Sequence, residues 1–450
     1  ILTGQGADRE TLGRVRIEGQ LRDVLWDVDG PGGFSSIDAD LGMSNVTLDL
    51  EGVGGRIKTA DWLGGGYVGQ SLDGLDIRGD RRQNIAGDTD IDITLTGHPD
   101  PGPRNDTLGR VKVDGRIRRG DWNVTGNLNS LDVDTATQDL NLTLNSTFRS
   151  LDLGDVSNTT VDIGDDDGGR VRVTRWLGGQ FIGASVDRLE ARGDRRANIP
   201  GNIDINLTLT GHTEPGPRND TLGRVDVETI VGGVWNAAGR AGRIAADVVS
   251  DTWQATFAGS VDRLDAKQTL AGTVVATAID RVSADNATDL TLTLSQTVDP
   301  SDDRLEALGR LDVKNVAERV IVRAAGHIGS VRIGALVDST LFAGVAAAVP
   351  AGALPTLVSD FIADAVFGRL DIKGLRDAPF AFTNSVIAGS MIEKGGIGLV
   401  ESENGGAPFG FATSFIASLR VETAFGSIDF RDVNTDTAPP PFDDLQFRLL

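Results

Sequence analysis

Gly109-Arg110-Val111-Lys112-Val113 recurs, at steps of about twenty residues, as Asn129-Ser130-Leu131-Asp132-Val133, Arg149-Ser150-Leu151-Asp152-Leu153 and Gly169-Arg170-Val171-Arg172-Val173. Each copy reads small or polar, Arg or Ser, apolar, charged, apolar. Alternation of period two marks a strand with one buried face. The regular step is that of a solenoid, whose short coils bury their apolar faces only by stacking on their neighbours. The same signature begins at Gly13, Ser35, Gly55 and Asp73, at Gly223, Gly242, Asp262 and Asp280, and at Gly309, Gly329, Gly368 and Gly426.

A second apolar stretch follows about a dozen residues after the first in each coil. Trp122-Asn123-Val124, Leu140-Asn141-Leu142-Thr143-Leu144 and Val161-Asp162-Ile163 are examples. Glycine, Asn and Asp cluster between the stretches, as tight corners require. Two or three short strands per coil, stacked in parallel, predict an all-β fold, a right-handed parallel β-helix. A longer repeat is superposed: residues 62–113 and 176–227 are near copies, and Pro101 to Arg110 recurs unchanged as Pro215 to Arg224. Enlarged loops are therefore expected near residues 78–108 and 192–222. The expected division is a lead over 1–12, a solenoid over 13–333 with long units starting near 13, 109, 223 and 309, an irregular or helical excursion over 334–367, and a continuation with a C-terminal cap over 368–450. Leu357, Phe361, Asp364 and Ala365 have the spacing of a helix ending before Gly368.

The outward residue between the two apolar ones should form a ladder up the stack. It reads Arg16, Asp38, Lys58, Asp76 in one run and Asp152, Arg172, Glu190 in another. Opposite charges on adjacent strands are favourable by a few tenths of a kcal/mol each, ~0.2–1 kcal/mol at most. The ladder is read as setting register.

Composition agrees with a solenoid. Of 450 residues 58 are Gly and one is Tyr, while 39% are hydrophobic, which excludes a disordered chain. Cysteine is absent, so neither disulfides nor thiol chemistry operate. A net charge of −22 repels nucleic acid and anionic membranes. No stretch approaches the roughly 18 apolar residues of a membrane span, so membrane insertion is not expected. The chain opens Ile1-Leu2-Thr3 without Met or a signal-peptide pattern, which reads as a processed or excised start.

By these repeats the chain resembles the parallel β-helix regions of large secreted bacterial surface proteins, such as adhesins and exoprotein arrays. The resemblance covers nearly the whole chain and is architectural. It implies an extracellular or cell-surface location. The leading functional expectation is a structural subunit of an extracellular filament, sheath or surface layer, a homo-oligomer or polymer associating head to tail through solenoid ends. The alternatives are an adhesin or carbohydrate-binding protein with glycan partners, and a polysaccharide lyase or hydrolase. Pectin-type hydrolases carry Asn-Thr-Asp, Asp-Asp, Gly-His-Gly and Arg-Ile-Lys on adjacent coils. Here Asp166-Asp167, Gly326-His327 and Arg56-Ile57-Lys58 are scattered and out of order, so no catalytic residues and no enzymatic role are expected.

No cofactor is expected apart from calcium. Asp165, Asp166 and Asp167, and separately Asp88, Asp90 and Asp92, are the candidate ligands, because calcium prefers clustered carboxylates and carbonyls. His98 and His212 lie beside Asp100 and Glu214 in equivalent loops, better explained by duplication than by a metal. Arg78-Gly79-Asp80 and Arg192-Gly193-Asp194 form the tripeptide of integrin ligands, but a corner ion pair explains them as well. Phe409, Phe411, Phe415, Phe425 and Phe430 are the candidate apolar surface for assembly, docking on the N-terminal coils of a neighbour.

Overall fold

The structure is a computed structural model. It describes the chain except residues 1, 4–11, 30–31, 81–84, 101–104, 215, 217–218, 300, 303–304 and 435–441. Most of the N-terminal lead, the Pro439-Pro440-Pro441 run, Arg81 and Arg82, and Pro101 to Arg104 of the repeated loop thus lie outside the described residues. Two compact units follow one another, Ile1–Glu228 and Thr229–Leu450.

The first unit is a parallel β-solenoid. Around the decisive stretch each coil has three strands: Leu108–Val113, Arg116–Ile117 and Gly120–Val124, then Leu128–Val133, Ala136–Gln138 and Leu140–Leu144. Each strand pairs in parallel with its counterpart one coil on. Leu108 faces Leu128, Leu128 faces Phe148, and Phe148 faces Gly168. The register puts like positions in columns. Val111, Leu131, Leu151, Val171, Leu189 and Val225 form one inner column, and none is more than 2% exposed. Trp122, Leu142, Val161, Phe181 and Leu207 form a second, equally buried. Apolar burial of this kind contributes about 1.5–3 kcal/mol per large side chain, which offsets the ordering of each coil.

The enlarged coils fall where the long repeat places them. Leu72 pairs with Leu108, and Val186 with Leu222, so the insertions 78–107 and 192–221 leave the register of the next coil intact. The glycine of the signature has a steric reason at these junctions. A Cβ on Gly109 would lie 1.9 Å from the Asp73 carbonyl oxygen below it.

The second unit repeats the architecture. Ile244, Leu264, Val282, Leu311, Val331 and Leu370 stack in register. Three expectations are corrected here. The predicted helix is a loop holding one 3-10 turn, Val358–Asp360, the only helical element among the described residues. Its side of the chain packs Val345, Val349 and Leu354 onto Phe342 and Val386, and a fixed loop meets that need without helical spacing. The region expected to be irregular also begins with regular strands, His327–Val337 and Thr340–Ala343. The signature at Gly426 does not open another parallel coil. Gly426–Val433 turns back antiparallel on Phe415–Thr423, and Leu445–Leu449 then pairs in parallel with Phe409–Thr413 on another face.

Replacing Leu131 by Ala should lower stability by about 2–5 kcal/mol, the cost of a cavity in a packed core. The denaturant midpoint reads it, with Leu25→Ala as the control, because Leu25 is 67% exposed and should change little.

Candidate functional site

The outer face of the signature strand carries two ladders. One is the charged ladder expected from sequence. In the first unit it runs Arg16, Asp38, Lys58, Asp76, Lys112, Asp132, Asp152, Arg172 and Glu190, each residue in register with the next. Charges alternate except at Glu190 with Asp226 and at Asp132 with Asp152. There burial raises the Asp152 pKa, the Asp132 charge adds to it, and Arg172 opposes it.

The second ladder lies two residues earlier and was not read as a column from sequence, although its Arg or Ser was part of the signature. It runs Arg14, Ser36, Arg56, Gly74, Arg110, Ser130, Ser150, Arg170, Arg188 and Arg224. Where a rung is small, the face opens. Ser130 and Ser150 leave a groove of about 540 Å³ bounded by Arg110, Arg149 and Arg170, with Asp132 and Asp152 in its walls. Gly74 leaves a second notch of about 460 Å³ between Arg56 and Arg110.

Carboxylates on the first ladder hold the guanidiniums of the second. Asp76, its side chain 3% exposed, accepts from Arg56 at 2.6 Å and from both Nε and Nη2 of Arg78. Glu190, its twin in the long repeat, is fully buried among Arg170, Arg172, Arg188 and Arg192. Burial alone would raise the Asp76 pKa, but the hydrogen bonds and charges of Arg78 and Arg56 outweigh it and hold the carboxyl below its ordinary 3.8. The groups present can bind through charge-assisted hydrogen bonds.

Most of the aspartates proposed for calcium carry hydrogen bonds from protein groups. Asp88 accepts from the Arg116 backbone N–H at 2.9 Å and from the Arg118 guanidinium at 2.7 Å. Asp90 accepts from Arg119 at 3.1 Å, and Asp92 from the Asp121 N–H at 2.9 Å. These bonds tie the enlarged coil to the next one. Asp167 accepts from Ser185 at 2.6 Å and from Thr213, with the His212 ring at 3.4 Å. Asp165 lies 3.5 Å from the Thr210 hydroxyl, and the Asp166 carbonyl accepts from the Ala184 N–H. Among the described residues no three His, Asp or Glu side chains converge as a metal site. His98 Nδ1 accepts from the Asp100 N–H and His212 Nδ1 from the Glu214 N–H, each closing its own loop. In the Arg-Gly-Asp copies Asp80 and Asp194 bridge Ile85 and Ile199, closing tight turns.

The phenylalanine surface is corrected. Phe409, Phe411 and Phe430 are at most 4% exposed. Phe382, Phe411 and Phe447 stack with centroids 5.2 Å apart, and Phe430 packs on Phe447 at 4.6 Å. They are the core of the last coils, because a parallel column repeats its aromatic at each level. Phe415 is half-buried; Phe425, at the hairpin turn, is 80% exposed.

Asp76→Asn should cost about 1–3 kcal/mol at pH 7 by replacing the buried charged acceptor of Arg56 and Arg78 with a neutral amide. Because the folded pKa lies below 3.8, the carboxylate's contribution is full above that value and is lost as pH falls through the folded pKa. Denaturation midpoints of parent and variant should therefore converge at the acid end and diverge toward neutrality; a constant offset at every pH would refute the assignment.

No known protein family, curated protein or solved structure matches the chain.

Proposed function

We propose that the chain is a structural subunit of an extracellular filament, sheath or surface layer that joins its neighbours through solenoid ends. The observation that carries this reading is the state of the first coil. Leu12, Val15, Ile17, Leu21, Val24 and Trp26 occupy inward positions but are only half-buried. Their register partners Phe34, Ile37, Ala39, Met43, Val46 and Leu48 are at most 3% exposed. An end face of this kind presents half-covered apolar side chains, with Leu2 and Thr3 paired along Val28 and Asp29 at one edge. A further coil completes it, and in an assembly of separate chains a neighbouring copy supplies that coil. The opposite contact surface is the outer edge of the Gly426–Val433 strand with Phe425 at its turn, in place of the buried phenylalanines.

A second reading, an adhesin or carbohydrate-binding surface protein, is favoured by the groove at Ser130 and Ser150. It gathers carboxylates, guanidiniums and hydroxyls in one open cleft, donors and acceptors suited to sugar hydroxyls. Extracellular placement belongs to both readings. It is supported by the acidic composition; among the described residues no helix is long and apolar enough to cross a membrane.

Sedimentation velocity over a range of concentrations tests the assembly. The parent chain should gain mass with concentration. The double variant Val15→Asp/Val24→Asp should stay monomeric with unchanged circular dichroism, and Phe425→Asp should do the same if contacts run head to tail. A parent that remains monomeric throughout, or a double variant that associates equally well, removes the proposal.

A further inference from the structure

The long repeat supplies an internal comparison. Arg56, Asp76, Arg78 and Arg110 correspond to Arg170, Glu190, Arg192 and Arg224, so the frame of guanidiniums around a buried carboxylate is present twice. Two twin positions differ. Gly74 stands where the second copy has Arg188, and Lys112 stands where it has Asp226. In the second copy the Arg188 side chain occupies this rung and its guanidinium pairs with Glu190. In the first copy that space is open, a cavity of about 460 Å³ lined by Arg56, Asp73, Asp76, Arg78, Arg110 and Lys112.

The two changes act in one direction. Removing Arg188's counterpart opens the space, and exchanging an aspartate for Lys112 makes the wall more basic. Four cations now border the cavity against two carboxylates. Asp76, on the floor, is already bonded to Arg56 and Arg78. Lys112 is held by Asp114 at 2.7 Å, and Arg110 approaches Asp132 at 3.5 Å. A guanidinium carries five N–H donors and an ammonium three, so donors remain for a ligand after these bonds are made. Arg56 and Arg110 sit on the rungs either side of Gly74 and would grip a ligand from above and below.

We propose that the notch over Gly74 binds an acidic saccharide unit through its carboxylate or sulfate group. An oxyanion is the complement of paired guanidiniums and a lysine. The cavity is in the size range of small-molecule sites, about 300–1,000 Å³, and holds a sugar ring along with its charged group. Asp73 and Asp76 add acceptors for hydroxyls. No aromatic side chain lines the notch, so it lacks the stacking platform on which proteins hold single-stranded nucleic acid bases. This site lies away from the coil ends; it shares Arg110 with the groove at Ser130 and Ser150, whereas Gly74 and Lys112 line the notch and not the groove, so variants at those two positions test the notch by itself.

Titration calorimetry of the full chain with glucuronate, sulfate and glucose tests it. Glucuronate should bind saturably, more weakly as salt rises; sulfate should bind less tightly, and glucose not at all. Gly74→Arg and Lys112→Asp install residues that the same frame carries in the second copy. A Cβ at Gly74 lies 3.2 Å from the Arg110 carbonyl oxygen, a tight but adjustable contact. Each variant should weaken glucuronate binding about tenfold or more, the scale of one charge-assisted hydrogen bond, with the melting temperature reporting that the coil is intact. Absent glucuronate binding by the parent, or undiminished binding by both folded variants, overturns the proposal. Sulfate binding as tight as glucuronate overturns the saccharide assignment.

Discussion

In-register parallel pairing between successive coils is the constraint on which the rest of this structure depends. Strands about 4.8 Å apart place each residue directly over its counterpart in the coil before. Inside, the consequence is a column of similar apolar side chains, as from Val111 through Leu131, Leu151 and Val171 to Leu189. Outside, the consequence is that every charge has the same position of the next coil as its nearest neighbour. A ladder of one sign would repel itself, and through most of the first unit the chain answers by alternating Asp or Glu with Lys or Arg.

The arginine ladder does not alternate in sign. Arg170, Arg188 and Arg224 follow one another in the first unit, and Arg243, Arg263, Arg281 and Arg310 in the second. Carboxylates two residues away compensate: Glu190 in the first unit, Asp265 and Asp312 in the second. The two ladders are thus one electrostatic system. Where it lacks a long side chain, at Gly74 or at Ser130 and Ser150, the surface opens between flanking arginines. Binding capacity on this face arises from omission in a repeating pattern.

The enlarged coils illustrate how loosely such a fold is coupled along its length. Leu72 meets Leu108 as directly as Leu108 meets Leu128, although a long insertion intervenes in one case. Each coil contacts only its neighbours, so an excursion costs little provided its ends return to register. Asp88, Asp90 and Asp92 then act as ties to the following coil. Asp90 and Asp92 on the Thr89–Leu95 strand, and Asp88 just before it, each meet a different partner.

Repetition made much of this protein legible. Residue order alone determined the strands and their parallel stack, because the signature repeats the same local chemistry at each level and only one register buries it. The enlarged coils were visible for the same reason. The loop around Val358–Asp360 and the hairpin at Gly426 were not, since their form follows from what they pack against: Phe342 and Val386 in one case, the Phe415–Thr423 strand in the other. Phe411 and Phe425 look alike in the sequence, yet one is core and the other exposed, a difference of depth that no local pattern encodes. The notch over Gly74 required the tertiary structure most of all. It is a relation among Arg56, Gly74 and Arg110, residues brought together from three coils, one of them beyond an enlarged loop, and only the stacking decides which side chains share a boundary.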